Sequence, residues 1–182
     1  MRKKGNIWIE VSKCLACRSC EFACAVEHSR SKTLVGAIAE DPLPQSRVSL
    51  IAVENLAVPL QCRHCEDAPC VSICPTKALE KQGTEGPVLI DAERCIGCKF
   101  CIAVCPFGVV TLSADGKAAL KCDLCIELLD EGEDPACVTA CKSGALRFLE
   151  IEEWVKARRR ETAGRMAESA AKAEKARAES DR

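Results

Sequence analysis

The cysteines decide most of what this chain can become. There are sixteen in 182 residues, and they fall into four groups of four with none left over. The first group is Cys14, Cys17, Cys20 and Cys24; the second is Cys62, Cys65, Cys70 and Cys74. The third is Cys95, Cys98, Cys101 and Cys105; the fourth is Cys122, Cys125, Cys137 and Cys141. Two residues separate the first two thiols of every group, so a turning backbone presents successive sulfurs to one small object. Groups one and three continue that wrap with a third cysteine after two more residues. Group two has four residues in that interval and group four has eleven.

Soft thiolates at this spacing point to iron in [4Fe–4S] cubanes, which need four such ligands each. The third group, CIGCKFCIAVCP, is the C-x2-C-x2-C-x3-C-P run in which the last cysteine serves the other cluster of a pair. A proline follows Cys74 and Cys105, ending the helix and fixing its exit, whereas Cys24 and Cys141 are followed by Ala25 and Lys142. Sixteen thiolates suffice for four [4Fe–4S] clusters, and hence for moving single electrons. Four-cysteine zinc sites also use paired CxxC motifs, and group four alone would pass for one. The triple runs at Cys14 and Cys95 do not fit that geometry. A redox CxxC pair would need a βαβ context that none of these motifs has. His28 and His64 lie beside the cysteines, but a full thiolate set leaves them structural or hydrogen-bonding roles rather than ligation.

The apolar core is thin. Aromatic residues are 3% of the chain, four Phe and two Trp with no Tyr. Small domains with thin cores need staples, and metal clusters serve that purpose, so folding and cluster assembly are expected to be coupled. The opening MRKKGNIWIE is basic but carries no apolar stretch, and no run is long enough to cross a bilayer. This predicts a cytoplasmic, reducing location where thiols bind metal rather than form disulfides. A formal net charge of −1 argues against nucleic acid as a partner. No Walker loop, nucleotide fingerprint or separate catalytic constellation appears, so the chain is expected not to be an enzyme. An enzyme built on an open iron would leave one cluster with three cysteines, and here the count is complete.

Repetition organises the chain. Ile7–Ile9 and Val88–Ile90 are β-forming runs ahead of groups one and three, while CPTKALE, CPFGVVTL and CKSGALRFLE repeat a cysteine, turn and strand theme after the groups. Hairpin turns are expected at 83–86 and 114–116, and short helices at 21–28 and 102–105. An insertion from about 29 to 60 holds Pro42, Pro44 and a strand candidate at Val48–Val53. Residues 156–182 carry nine basic and five acidic side chains without an apolar stripe. That composition favours a frayed or disordered tail over a basic helix that docks on a partner. The acidic run from Glu127 to Asp134 reads as soluble surface rather than a steering patch. Arg18, Arg63 and Lys99 sit inside the cysteine turns of groups one to three, where group four has Asp123. Charge near a cluster tunes its potential, so the cluster anchored by Cys122 is expected to be the hardest to reduce.

Taken together, the four groups resemble the four-cluster ferredoxin-like electron-transfer subunits of formate dehydrogenases, of molybdopterin enzymes such as dimethyl sulfoxide reductase, and of hydrogenase complexes. The resemblance covers about residues 5 to 150. CLACRSCEFACAVEHS looks most like the CooF-type subunit that accompanies carbon monoxide dehydrogenase, while CRHCEDAPCVSICPTKAL is shared more widely. The resemblance implies an α+β fold of two pseudo-symmetric dicluster units, one contiguous and one split. The segments are 1–55 and 114–155 for the split unit, 56–113 for the contiguous one, and 156–182 for the charged tail. By the same resemblance Cys62, Cys65, Cys70 and Cys105 hold one cluster, and Cys95, Cys98, Cys101 and Cys74 its neighbour. Cys14, Cys17, Cys20 and Cys141 hold a third, and Cys122, Cys125, Cys137 and Cys24 the fourth. The implied function is relay of single electrons between carbon monoxide dehydrogenase and a hydrogenase or flavin-dependent pyridine-nucleotide oxidoreductase. A formate dehydrogenase or other molybdopterin enzyme is the alternative partner.

Overall fold

The β-forming runs that flank the cysteine groups pair two by two, giving four small sheets instead of one continuous sheet. They are seen in a computed structural model that describes residues 2–84 and 86–180. Strand β1 (Asn6–Ile9) pairs with β8 (Leu146–Leu149), joining the first element to the last of the cysteine-bearing region. The other three pairs are antiparallel hairpins: β2 (Ser49–Val53) with β3 (Leu56–Leu60), β4 (Leu79–Lys81) with β5 (Val88–Ile90), and β6 (Thr111–Leu112) with β7 (Ala119–Leu120). The expected turns at 83–86 and 114–116 lie in the second and third hairpins, with Glu85 outside the described residues. Strand β3 escapes sequence patterning because Pro59 interrupts it. A two-stranded sheet tolerates this, since every strand is an edge and Pro need donate nothing outward.

Short helices carry the cysteines between these hairpins. They are α1 (Ser19–Glu27), α2 (Leu34–Ala37), α3 (Pro69–Ser72), α4 (Phe100–Val104), α5 (Ile126–Glu131) and α6 (Ala136–Thr139). Thr33 caps α2 by accepting from the Gly36 N–H at 3.2 Å, and Pro69 starts α3 at the one position where its missing N–H costs nothing. Helix α5 ends at Gly132, whose φ of +87° suits a left-handed cap. Its acidic run is tied down within the chain. Asp130 pairs with Arg2, Asp134 with Lys3 at 2.7 Å, and Glu127 with Lys32 at 2.7 Å. These are exposed, solvent-screened pairs, so they fasten the N-terminus and the segment after α1 to the acidic run more than they stabilise the fold.

Two apolar clusters form the core, and each is built around thiols. The first joins Ile7, Val48, Leu124, Leu129 and Leu146 to Cys20, Cys24 and Cys137. It therefore draws on groups one and four, which are far apart in sequence, and α1 packs on α6 across it. The second joins Leu79, Val88 and Val110 to Cys70 and Cys101, drawing on groups two and three. One core is split and the other contiguous, so the architecture is α+β with two related halves.

Leu149–Arg182 is a separate unit. Helix α7 (Ile151–Ser180) accounts for nearly all of it, beginning a few residues before the expected boundary at 156. Its Ala, Glu, Lys and Arg content explains why it is helical rather than frayed, even without an apolar stripe. Arg158 pairs with Glu161 at 2.9 Å and lies 5.7 Å from the Trp154 ring.

Candidate cluster-binding sites

The first CxxC turn of each group places its third residue in the left-handed region: Ala16 at φ 55°, His64 at 49°, Gly97 at 65° and Leu124 at 62°. Three of the four are not glycine, and each such residue costs about 1–3 kcal/mol unless its surroundings enforce it. What the turn gains is a backbone amide aimed at sulfur. The N–H of His64 donates to Cys62 Sγ at 3.4 Å, and that of Leu124 to Cys122 Sγ at 3.4 Å. Amides from more distant segments reach other thiols: Arg47 N to Cys24 Sγ at 3.2 Å, Ala119 N to Cys95 Sγ at 3.3 Å, and Leu146 N to Cys141 Sγ at 3.3 Å. Donors aimed at sulfur raise the potential of a cluster held there.

Gly97 is where the repeat most needs its residue. A Cβ there would meet the Lys117 carbonyl oxygen at 2.8 Å, on top of the unfavourable φ. Gly97→Ala is therefore expected to destabilise the loaded protein by about 1–3 kcal/mol. The reciprocal Ala16→Gly relieves strain at φ 55° and should cost well under 1 kcal/mol or stabilise. Guanidinium midpoints measured without oxygen check both; equal losses at the two positions would contradict the strain argument.

The structure gathers cysteines from different groups. One cavity is lined by Cys74 together with Cys95, Cys98 and Cys101. A second is lined by Cys62, Cys65 and Cys70 together with Cys105. In the split half, Cys24, Cys122, Cys125 and Cys137 lie close enough that each charge affects another's ionisation, and Cys20 similarly feels Cys141. Cys14 is half-buried on the same loop as the exposed Cys17. Cys17 Sγ approaches Ser19 Oγ at 3.4 Å. Burial pushes the Cys20 thiol up to about 11, and Cys122 and Cys137 well above the ordinary thiol range. Such thiols ionise only when metal takes the place of the proton, so loading releases protons and is tied to folding. Four-thiolate settings with amide donors on sulfur fit iron–sulfur clusters by donor chemistry.

The two histidines have opposite settings. His28 donates from Nδ1 to the Cys24 carbonyl at 2.7 Å and from Nε2 to Asp123 at 3.0 Å, which requires the doubly protonated ring. Burial opposes that charge, but hydrogen bonds to Asp123, Cys125 and Cys24 outweigh it and raise the pKa to about 12. His64 is buried and accepts the Val88 N–H at Nδ1, 3.0 Å away. Burial first, then the Lys121 and Lys81 charges, lower its pKa to about 3. His28, Asp123 and Cys125 fall within 4.8 Å of one another, a spacing that could hold one metal ion. Both nitrogens of His28 are occupied by oxygen acceptors, so the trio reads as a hydrogen-bonded support for the thiols.

Asp123 is not the bare charge expected from its place in the motif. It pairs with Arg47 and with His28, and its side chain is 25% exposed. Burial alone would raise its pKa, but the His28 hydrogen bond and the Arg47 charge hold it well below the usual carboxylate range. Two cations therefore compensate it, and the basis for making the Cys122 site the hardest to reduce is removed. Sequence reasoning also missed Arg47, Lys81, Gln61 and Lys121. A place in the repeat hinted at two of them, since Gln61 precedes Cys62 as Lys121 precedes Cys122, whereas Arg47 in the insertion and Lys81 in β4 gave no signal.

Residues 53–151 match the family described as a 4Fe–4S dicluster domain, more than half of the chain. The chain belongs to the 4Fe–4S dicluster family. It is 39% identical over 175 residues to an iron–sulfur protein of Rhodospirillum rubrum, covering 90% of this chain and 91% of that one. It is 36% identical over 173 residues to the electron transport protein HydN of Escherichia coli (strain K12), covering 85% and 94%. It is also 36% identical over 149 residues to the thiosulfate reductase electron transfer subunit PhsB of Salmonella typhi, covering 79% and 77%. This dicluster protein is thus an iron–sulfur electron-transfer protein that binds [4Fe–4S] clusters, similar to relatives named for electron transport and electron transfer. Among the described residues, no helix is long and apolar enough to cross a membrane.

Proposed function

We propose that the chain holds four [4Fe–4S] clusters and carries electrons one at a time between a catalytic dehydrogenase and a second redox subunit in the cytoplasm. The supporting observation is the pair of cavities in which a fourth cysteine is borrowed from the neighbouring group, Cys74 in one and Cys105 in the other. The ligand sets are Cys62, Cys65, Cys70 with Cys105; Cys95, Cys98, Cys101 with Cys74; Cys14, Cys17, Cys20 with Cys141; and Cys122, Cys125, Cys137 with Cys24. When bound, such clusters each take up and release a single electron.

Burial ranks these sets. Cys17 and Cys98 are exposed, whereas Cys24, Cys122, Cys125 and Cys137 are all buried, as are Cys62 and Cys70. Lys121 and Val88 bridge the two buried sets by a hydrogen bond. The sets of Cys17 and Cys98 are therefore the outer pair, open to partners, and the other two the inner pair, shielded from water. The amides of His64 and Leu124 hold the inner thiolates by donating to the sulfurs of Cys62 and Cys122.

The favoured catalytic partner is carbon monoxide dehydrogenase, on the likeness of CLACRSCEFACAVEHS to the CooF-type subunit, with a hydrogenase or flavin-dependent oxidoreductase as the acceptor. Relatives such as PhsB, named for thiosulfate reductase, favour keeping a formate dehydrogenase or other molybdopterin enzyme as the alternative. Gentle affinity purification without oxygen, followed by identification of what co-purifies, tests the partner. A nickel-containing dehydrogenase is the expected companion, and a molybdopterin enzyme would overturn that choice. Iron and acid-labile sulfide in the same preparation should reach about sixteen each per chain.

A further inference from the structure

Lys121 is a charge in a place where charges are expensive. The residue is 3% exposed, and its ammonium donates to the carbonyl oxygens of Val88 and of Cys122, the latter at 2.8 Å. Among the described residues no carboxylate lies within ion-pair distance of it. The adjacent Asp123 is already taken by Arg47 and His28. A buried cation that meets only neutral carbonyls keeps most of its desolvation cost. Something anionic must complete the site.

The two carbonyls belong to different halves. Cys122 opens the CxxC turn of one inner ligand set. Val88 lines the cavity ringed by Cys62, Cys65, Cys70 and Cys105, and its N–H donates to His64 within that set's own turn at 3.0 Å. Lys121 thus lies against both inner sites at once. Lys81 makes a one-sided comparison: its ammonium donates to the His64 and Cys65 carbonyls at 2.8 and 3.1 Å, both in a single set.

Reduction adds an electron to a core that four thiolates already make anionic, so a fixed cation nearby favours the reduced form. We propose that Lys121 is the shared counter-cation of the two inner cluster sites and raises the reduction potentials of both. It is a positioning charge and ligates nothing. This rests on the ligand assignment proposed above. The inner pair becomes a place where an electron dwells between the exposed ends, and a single side chain sets its depth on both sides.

The test is an EPR-monitored redox titration of the full chain as Lys121→Met and Lys121→Arg, with clusters identified beforehand by cysteine variants of each set. Lys121→Met should lower the potentials of the two inner clusters by at least the equivalent of a tenfold change in the reduction constant, about 59 mV for a one-electron couple. The two outer potentials should stay in place, and Lys121→Arg should hold all four near their native values. Unmoved potentials in a fully loaded Lys121→Met protein overturn the proposal while leaving the ligand assignment intact, as does a shift confined to one cluster. Native protein that never exceeds three clusters overturns the assignment instead. Should Lys121→Met not load, Lys121→Gln takes its place. Inner clusters lost from both uncharged variants yet retained in Lys121→Arg support the shared charge. Loss from all three variants means that only the shape of lysine matters, which overturns it.

Discussion

Removing the iron unfolds the Met1–Phe148 region. That is the expected result of chelating the protein without oxygen, and it follows from what its two cores are made of. Cys20, Cys24 and Cys137 are buried members of one, and Cys70 and Cys101 of the other. Around them stand, among the described residues, four two-stranded sheets without a third strand to support them, and isolated hairpins are marginal in water. Structural metal centres contribute on the order of 10 kcal/mol to folding, as much as the whole stability of a small domain at about 5–15 kcal/mol. The apoprotein also leaves strained turns at His64 and Leu124 with nothing to enforce them. Hydrogen exchange is the measurement. Amides of Ile7, Val88 and Leu146, buried in the loaded protein, should lose protection together. Native-like protection in the metal-free chain would refute the coupling of folding to loading.

The second large effect concerns ligand exchange between groups. Cys98→Ala should cost one cluster, about four irons and four sulfides, and interrupt electron passage to that end of the molecule. Cys98 is exposed, so its removal opens little core and the remaining clusters should load normally. Cys74→Ala supplies the discriminating result. Although Cys74 belongs to group two in sequence, it shares a cavity with Cys95, Cys98 and Cys101. Its loss should erase the same EPR signal as Cys98→Ala, while Cys65→Ala erases a different one. If Cys74→Ala and Cys65→Ala removed the same signal, each group would keep its own cluster and the exchange would be wrong.

Much of this was legible in the sequence because thiol spacing is a local code. The strands at Ile7–Ile9 and Val88–Ile90, the hairpin turns and two short helices all come from short-range patterns, although α1 and α4 start at Ser19 and Phe100, one residue before the third cysteine rather than after it. Strand β3 was hidden by Pro59, a residue that normally argues against a strand. The left-handed turns were hidden too, since only Gly97 among four equivalent positions advertises the conformation. The electrostatics could not be read at all. Asp123 looked like an isolated negative charge until Arg47, from an insertion 76 residues away, was found against it. The burial of Lys121 could not be read either, because it depends on the meeting of two halves that the sequence writes separately.

The pairing of β1 with β8 has a consequence for biosynthesis. A ribosome emits the first cysteine group well before the strand that closes over it, so the N-terminal thiols must wait, reduced and without their final partners, while the middle segment can already fold and load. Chains halted before Leu146 would keep an assembled central half and an open, oxidation-prone one. For this molecule the first thiols to be translated are among the last that can be safely loaded with iron.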